Sequence, residues 1–154
     1  MPAAVRPVEP RDFAQWLPLW QGYCAFYGRP YDSAAPPDGV TVTTWTRFFD
    51  AAEPVHALVA EGDGQLLGLA HYIFHRNTGT IGPVCYLQDL FTVESGRGAG
   101  VGRALIEAVY AAAKSAGAER VYWQTQHGNT AAMALYDKVA AHLAVHVYRK
   151  ELGD

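Results

Sequence analysis

The feature that most constrains the fold is a strand-like run that leads through a glycine-rich segment directly into a helical pattern. The run VCYLQDLFTV, residues 84–93, is apolar, and VGRALIEAVYAAAKSAG, residues 101–117, has apolar residues at helical spacing. Glycine stands at positions 96, 98, 100 and 102. Because glycine lacks a Cβ atom, such a segment lets several backbone N–H groups converge on an anion at a helix N-terminus. We therefore predict a strand, loop and helix that hold a pyrophosphate; the alternative is a loop that merely turns tightly.

Two well-known phosphate loops do not fit this spacing. A dinucleotide-binding G-x-G-x-x-G would need glycine at Val101 or Arg103. A P-loop needs Gly-Lys-Ser/Thr, and the segment contains no lysine before Lys114. The glycines therefore argue against a Rossmann dinucleotide site and against hydrolysis of nucleoside triphosphates.

Length, charge and cysteine content narrow the class of protein further. The 154 residues, 50% of them hydrophobic, suit a single globular domain over residues 1–154. With 12 basic and 15 acidic residues the net charge is -3, so no nucleic-acid partner is expected. Cys24 and Cys85 form no C-x-x-C pair, which indicates neither a disulfide framework nor a zinc ribbon. Because neither a secretory leader nor a run of ~20 apolar residues is seen, we expect a cytoplasmic protein with no membrane partner.

The order of predicted elements is strands first and then an alternation of helices and strands. Pro10 and Asp12 mark the start of a helix with an aromatic stripe, and Pro18 lies inside that helix. Two apolar runs separated by GDGQ predict an antiparallel hairpin. The order as a whole predicts an α/β fold with a mixed sheet and helices on both faces. The predicted strands are AAVRPV, VHALVAE, LLGLAHYIF, VCYLQDLFTV, ERVYWQT and LAVHVYRKEL, and the predicted helices are FAQWLPLWQGYCAFY, TVTTWTRFFDAA, VGRALIEAVYAAAKSAG and NTAAMALYDKVAAH.

Three segments together carry a family likeness that none of them carries alone. They are the strand LQDLFT, the R-G-x-G-x-G sequence that opens the helix, and NTAAMALYDK one strand later. In this combination the chain resembles the GNAT superfamily of acetyl-CoA-dependent N-acetyltransferases from Trp16 to Leu152, and looks closest to its polyamine and histone/amino-acid branch. The resemblance implies a central, mostly antiparallel mixed sheet of about six to seven strands. It also implies a splay between YLQDLFT and VYWQT, in which the pantetheine arm of acetyl-CoA lies like a strand.

The resemblance further implies where acetyl-CoA binds. Strand backbone would contact pantetheine, amides of the glycine loop would hold the pyrophosphate, and the start of the last helix would contact the far side of the cofactor. These positions are Leu90, Phe91, Thr92, Arg97, Gly98, Ala99, Gly100, Val101, Gly102, Arg103, Asn129 and Ala132. Thr92 and Glu94 stand where the family usually has Val and often has Pro. The sequence AAHLAVHVYR replaces a frequent Gly-Phe turn, which leaves the geometry of the last hairpin open.

Acetyl transfer needs a neutral amine, a polarised thioester carbonyl and a proton for the departing thiolate. Tyr136 matches the family tyrosine that protonates the sulfur, and a backbone N–H of the YLQDLFT strand would polarise the carbonyl. The acceptor of the amine proton is left open between Asp89 and an ordered water chain. Gln88 occupies the position of a Glu that is frequent in the polyamine branch, and strand alternation predicts that Gln88 and Asp89 face opposite ways. The alternative for Asp89 is a buried residue that caps neighbouring backbone.

The resemblance implies that the acetyl acceptor is a primary amine of a small molecule, or else a protein lysine or N-terminus. Tyr27, Gln88 and Trp123 are predicted to border the acceptor pocket. A different class of function, a non-catalytic module that senses acyl-CoA or binds a partner, stays open at this point. A homodimer is compatible with either function.

Specificity is predicted to depart from that of the polyamine enzymes. Gly28 and Gln88 stand where those enzymes carry acids that hold a long cation, so spermidine is predicted to be a poor substrate. Arg29 and Arg76 would instead suit an acceptor that carries a carboxylate, although two surface arginines would look the same in the sequence.

Metal and thiol chemistry are not expected. His71 and His75 share a strand face and His142 and His146 are four residues apart, but no carboxylate or cysteine completes a metal set at ligand spacing. Cys85 lies in an apolar strand and is predicted to be a small core residue and not a nucleophile.

Overall fold

The computed structural model describes residues 3–27 and 38–153, and at position 38 the backbone alone. The predicted loop over residues 28–39 lies almost entirely outside this range, and the second helix begins and ends earlier than the predicted 41–52. Short 3₁₀ turns occur at Pro10–Asp12 and Glu94–Gly96. The described strands are β1 Ala4–Pro7, β2 Val55–Gly62, β3 Gln65–His75, β4 Val84–Thr92 and β5 Val121–Tyr122, and the α-helices are α1 Phe13–Phe26, α2 Asp38–Arg47, α3 Val101–Ser115 and α4 Thr130–Val139.

The strands form one mixed sheet in the order β1-β2-β3-β4-β5. Strands β1 to β4 are antiparallel to their neighbours and β5 is parallel to β4. The β2–β3 hairpin closes with Asp63 and Gly64, whose φ angles are 52° and 79°. Asp-Gly is favoured in this two-residue turn because a type I′ turn needs positive φ at both of its central residues. The predicted hairpin and mostly antiparallel sheet are confirmed, with 5 strands described instead of about six to seven.

Helix α1 supplies an aromatic core on one face of the sheet. Trp16, Trp20, Tyr23 and Cys24 are buried, and the Trp16 and Trp20 rings stack with their centroids 5.9 Å apart. Aromatic side chains of this kind each bury about 150–250 Å² and dominate the energetics of a core. Pro18 lies on the exposed side of α1, and the helix continues past it.

Helix α3 covers the opposite face of the sheet, which confirms helices on both faces. A Cβ atom at Gly68 of β3 would lie 2.8 Å from the Phe91 carbonyl oxygen and 3.0 Å from Leu105 Cδ1. The missing side chain therefore allows α3 to approach the sheet closely. Leu69, of opposite parity on β3, belongs to the core cluster of α1. The buried side chains of α3 recur at helical spacing and are Val101, Leu105, Ile106, Val109 and Ala113.

Strand β5 stays beside β4 only over a short distance. The ladder joins Cys85 to Val121 and Tyr86 to Tyr122, and in the described residues no further pair joins the two strands. Strand β4 itself continues to Thr92. Beyond Tyr86, one edge of β4 is therefore not paired with β5, as a splayed sheet requires.

The described chain divides into two compact units, Met1–Gln124 and Thr125–Asp154. The second unit contains α4, and its residues 141–153 form no helix or strand. The strand predicted over LAVHVYRKEL is therefore not present, although Leu143, Val145 and Val147 alternate as in a strand and are exposed. A strand needs a hydrogen-bonded neighbour, and here Val145 N donates to the Leu143 carbonyl at 3.1 Å in a tight turn. That the chain is one domain stays a prediction.

Among the helices of residues 3–27 and 38–153, none combines the length and the apolar character that a membrane crossing requires.

Candidate active site

A cavity of about 210 Å³ opens on the face of the sheet that carries α1 and α2. Its walls come from both helices and from strands β2, β3 and β4, so residues distant in sequence meet in one place. Half of the lining residues are apolar, and the other half carry polar groups that converge on the cavity. The lining residues are Trp20, Val40, Thr44, Arg47, Phe48, Val55, His71, Ile73, Gln88 and Asp89.

A β-bulge on β4 brings Gln88 and Asp89 to this cavity together. His71 pairs with Asp89 and Tyr72 pairs with Leu87, so Gln88 is an extra residue opposite the β3 strand. The prediction that Gln88 and Asp89 face opposite ways was wrong, because strict alternation holds only in a ladder without such an insertion. Both residues line the cavity, with Asp89 buried and Gln88 exposed.

Asp89 is held by a buried chain of hydrogen bonds. Trp16 Nε1 donates to His71 Nε2 at 3.0 Å, and His71 Nδ1 lies 2.9 Å from Asp89 Oδ2. Because an indole N–H can only donate, Nε2 of His71 must be the acceptor, and Nδ1 carries the hydrogen that is donated to Asp89. His71 and Asp89 are 2% and 4% exposed. This bond fixes the carboxylate through a side chain of the neighbouring strand.

Sequence reasoning missed His71 as a member of this site. In the sequence His71 resembles only a potential metal ligand, because its carboxylate partner lies 18 residues away on the next strand. The signal that could have found it is the hairpin register, which sets His71 opposite Asp89 once β3 and β4 are aligned as neighbours. The rings of Trp16, Trp20 and Phe48 surround the imidazole at centroid distances of 5.9, 5.4 and 4.9 Å, which keeps water from it.

The remaining residues predicted to border the acceptor pocket lie elsewhere. Tyr27 ends α1, where its ring packs 4.7 Å from that of Tyr23, and Trp123 lies 6.4 Å from the Tyr110 ring. Among the described residues, neither Tyr27 nor Trp123 lines the cavity. Tyr23 does contribute to it indirectly, because its hydroxyl donates to the Gln88 carbonyl at 3.2 Å and so supports the bulge.

The glycine loop adopts the geometry of an anion-binding helix start. Gly98 and Gly100 have φ angles of 79° and 80°, and Gly100 is the N-cap of α3. The first bond of the helix runs from Ala104 N to the Gly100 carbonyl at 3.0 Å, so the amides of residues 101–103 have no partner inside the helix. Apart from its chain neighbours, a Cβ atom at Gly98 or Gly100 would meet no atom of the described residues within 4 Å. Within that part of the chain, the space beside these two glycines is therefore open.

The strand residues predicted to hold pantetheine lie between this loop and the bulge. Leu90, Phe91 and Thr92 pair with β3 on one side, and no ladder pair joins them to β5 on the other. An extended ligand could bond to such an edge as an added strand does. Arg97 Nε donates to the Thr92 carbonyl at 3.3 Å, and Arg103 forms an exposed ion pair with Glu107 at 3.1 Å.

Three predicted site residues belong to the second unit and are described within it. Asn129 is the N-cap of α4, and its Nδ2 donates to Thr125 Oγ1 at 3.1 Å. Ala132 and Tyr136 follow on α4, where Tyr136 is half-buried. Their contacts with acetyl-CoA stay predictions.

The other candidate groups have ordinary structural environments. Burial raises the pKa of the Cys85 thiol to about 12, which suits the core role predicted for it. His75 Nε2 lies 2.7 Å from the Tyr122 hydroxyl. In the part of the chain that the structure describes, no group of three or more His, Cys, Asp or Glu residues is placed to hold a metal ion.

Comparison with known protein families identifies the class. The model of the Acetyltransferase (GNAT) family matches residues 16–141, and the chain belongs to this family. Among curated proteins, it is 38% identical over 138 residues to the D-amino-acid N-acetyltransferase HPA3 of Saccharomyces cerevisiae, a match that covers 88% of this chain and 83% of that protein. The family and this relative identify an acetyltransferase, as the sequence motifs predicted.

Solved structures agree on the fold. A ribosomal-protein-alanine N-acetyltransferase from Brucella melitensis biovar Abortus superposes with a TM-score of 0.78 at 18% identity, covering 99% of this chain and 100% of that one. An aminoglycoside acetyltransferase from an uncultured soil metagenomic sample has a TM-score of 0.78 at 18% identity, covering 97% and 96%. At this level of identity the likeness supports the GNAT fold alone.

Proposed function

We propose that this protein transfers the acetyl group of acetyl-CoA to the primary amine of a small molecule, by direct attack in a ternary complex. The observation that carries the proposal is the buried pair of His71 and Asp89, which lines a cavity beside the stretch of β4 that β5 does not pair with in the described residues. A carboxylate fixed in this position can bind an ammonium group and take a proton from it. The rest of the strand leads directly to the glycine loop.

Acetyl-CoA fits the residues around that loop. The helix-start amides after Gly100 and the open space at Gly98 suit a pyrophosphate, and the backbone of residues 90–92 suits an extended pantetheine. Asn129 and Ala132 are proposed to contact the far side of the cofactor. When bound, acetyl-CoA supplies the acetyl group as an activated thioester.

Each proton in the reaction is assigned to a residue of this chain. Asp89 holds the ammonium and accepts its proton, so that the neutral nitrogen can attack the thioester carbon. A backbone N–H of β4 near the Gln88 bulge stabilises the carbonyl oxygen, since a bulge leaves its extra residue outside the ladder. As the carbon–nitrogen bond forms and the carbon–sulfur bond breaks, Tyr136 donates a proton to the departing thiolate.

The acceptor that we propose is an amino acid or a similarly small amine. The relative with the highest identity given above is named a D-amino-acid N-acetyltransferase, and a cavity of about 210 Å³ suits a molecule of that size. Drug-sized ligands occupy pockets of about 300–1,000 Å³. Spermidine is disfavoured because Gln88 provides no negative charge, while Gly28, the other position in that argument, lies outside the described residues.

The test measures CoA thiol release for wild type and for Asp89→Asn with D-leucine, a simple alkylamine, spermidine and a lysine peptide. Wild type should prefer the small amines, and Asp89→Asn should lower kcat/KM by about 10² to 10⁴ at neutral pH. The deficit should shrink as pH approaches the pKa of about 10 of an alkylamine, since the free amine needs no base. Asn preserves an oxygen acceptor for His71 Nδ1–H.

The matched control is Asp50→Asn, an exposed carboxylate after α2 that accepts a bond from Ala52 N at 2.9 Å. It should leave kcat/KM as in wild type. Equal activity of Asp89→Asn and wild type at every pH would assign the proton to a water chain. Preference for the lysine peptide would make a protein amine the acceptor, and no thiol release with any amine would refute the proposed function.

A further inference from the structure

We infer that Arg47 binds the carboxylate of an amino-acid acceptor at the mouth of the cavity, and so determines the preference for amino acids over plain amines. The inference rests on the proposed function, because it assigns a second contact to the same acceptor site. Arg47 is the last residue of α2 and lines the cavity. For this role the sequence offered Arg29 and Arg76, with two surface arginines as the alternative.

The cavity has two poles of opposite charge. Asp89 supplies the negative pole and is 4% exposed, whereas the Arg47 side chain is 51% exposed and supplies the positive pole at the surface. A zwitterionic amino acid carries the complementary pair, an ammonium and a carboxylate on neighbouring carbons. With the ammonium on Asp89, where it must react, the carboxylate is directed toward the open side of the cavity.

The present partner of Arg47 leaves most of the guanidinium for such a ligand. Its Nε lies 3.9 Å from Glu53 Oε1, which is at the limit of an ion pair, and both side chains are substantially exposed. A guanidinium has five N–H donors in a fixed fork and binds a carboxylate through two parallel bonds. Replacing the loose, exposed pair with Glu53 by a bidentate pair with the ligand carboxylate favours binding, because exposed ion pairs contribute little to stability.

The walls between the two poles suit an apolar amino-acid side chain. An amino acid held by its ammonium and its carboxylate would place its side chain against apolar surface from α1, α2 and the sheet. Burial of aliphatic carbon there would contribute favourably to the free energy of binding. These wall residues are Trp20, Val40, Phe48, Val55 and Ile73.

The other two arginines fit this role less well. The Arg76 guanidinium lies 3.5 Å from the Ile81 carbonyl, on the loop after β3, and Arg76 is not among the residues that line the cavity. Arg29 lies outside the described residues. Arg76 is therefore a matched control: an exposed arginine whose loss should not change the choice of acceptor.

The experiment compares D-leucine with isoamylamine, which is leucine without its carboxylate, for wild type, Arg47→Gln, Arg47→Lys and Arg76→Gln. We expect Arg47→Gln to lower kcat/KM for D-leucine by about 10- to 100-fold, the effect of one bidentate charged contact, and that for isoamylamine far less. Arg47→Lys keeps the positive charge but not the planar fork of N–H donors. Its kcat/KM for D-leucine should therefore lie between those of wild type and Arg47→Gln. Arg76→Gln should behave as wild type with both acceptors.

A second measurement needs no variant. Isocaproate, which is leucine without its amine, should inhibit isoamylamine acetylation by wild type competitively, and Arg47→Gln should lose that inhibition. If Arg47→Gln lowered kcat/KM equally for D-leucine and isoamylamine, or if isocaproate did not inhibit wild type, the inference would be overturned. The proposed function would still stand in either case, provided that wild type releases CoA thiol with these amines. No release with either acceptor in wild type would overturn both.

Discussion

Substitutions of glycine at the two ends of α3 can separate an effect on the stability of the fold from an effect on CoA binding. Gly100 is the N-cap of α3 and Gly117 follows the end of that helix, with φ angles of 80° and 79°. Apart from chain neighbours, a Cβ atom at either position meets no atom of the described residues within 4 Å. Alanine at either position therefore costs the same left-handed strain of about 1–2 kcal/mol. Only Gly100 lies beside the amides proposed to hold the pyrophosphate.

The expected thermal shifts follow from these costs. For a chain of 154 residues, about 1–2 kcal/mol corresponds to a fall in Tm of about 2–8 °C, shared by Gly100→Ala and Gly117→Ala. CoA at a hundredfold excess over its Kd stabilises a protein by about 2.7 kcal/mol, or about 5–11 °C here. If the methyl group weakens CoA binding by about a hundredfold, the same concentration gives only about 0.4 kcal/mol, or about 1–2 °C.

The assay is differential scanning fluorimetry with and without CoA, supported by calorimetric titration of CoA into each variant. Gly117→Ala should keep the full CoA-induced shift on a lowered baseline, and Gly100→Ala should lose nearly all of it. An equal CoA-induced shift in the two variants would show that the start of α3 does not hold the pyrophosphate.

Two further predictions concern the departing thiolate and the N-terminal ion pair. Tyr136→Phe should lower kcat by about 10²-fold or less with little change in CoA affinity, because a thiol of pKa near 8.5 leaves readily without an acid; an unchanged kcat with chemistry rate-limiting would remove Tyr136 from the mechanism. Arg6 holds the pKa of Asp12 below its usual value, through bonds of 2.8 and 2.9 Å. A lowered pKa in the folded state gives stability that is present above the unfolded pKa of about 3.9 and is lost as pH falls through the folded pKa. Urea unfolding should therefore show Asp12→Asn less stable by about 1–3 kcal/mol at neutral pH and nearly equal to wild type in strong acid, and a difference that did not depend on pH would contradict the assignment.

The sequence predicted correctly those elements whose turn residues or hydrophobic periodicity lie within a few neighbouring residues. The Asp63–Gly64 turn and the periodicity of α3 each lie within a few residues, so the hairpin and the helix after the glycines could be located. The glycine loop was also readable, since its φ angles are those that only glycine adopts without strain. Resemblance to a family then supplied the topology.

What could not be predicted depends on pairs of segments. The bulge at Gln88 exists only in the register between β3 and β4, and no rule within β4 alone marks the extra residue. The same register brings His71 to Asp89, and α2 brings Arg47 to the same cavity from another part of the chain. The predicted C-terminal strand is absent for the converse reason. The alternation of Leu143 and Val145 is that of a strand, but alternation does not supply a partner strand.

The Trp16–His71–Asp89 chain is better explained by function than by stability. Burying a charged group is costly, and apolar side chains of the same volume often serve a core as well as a buried polar pair. The polar pair nevertheless stands where the aromatic core of α1 meets the cavity. Under the proposed function, an ammonium group bound at Asp89 would be partly desolvated by the apolar lining of the cavity, which lowers the cost of removing its proton. In the reaction that we propose, this site would therefore favour the ammonium group that Asp89 has to deprotonate.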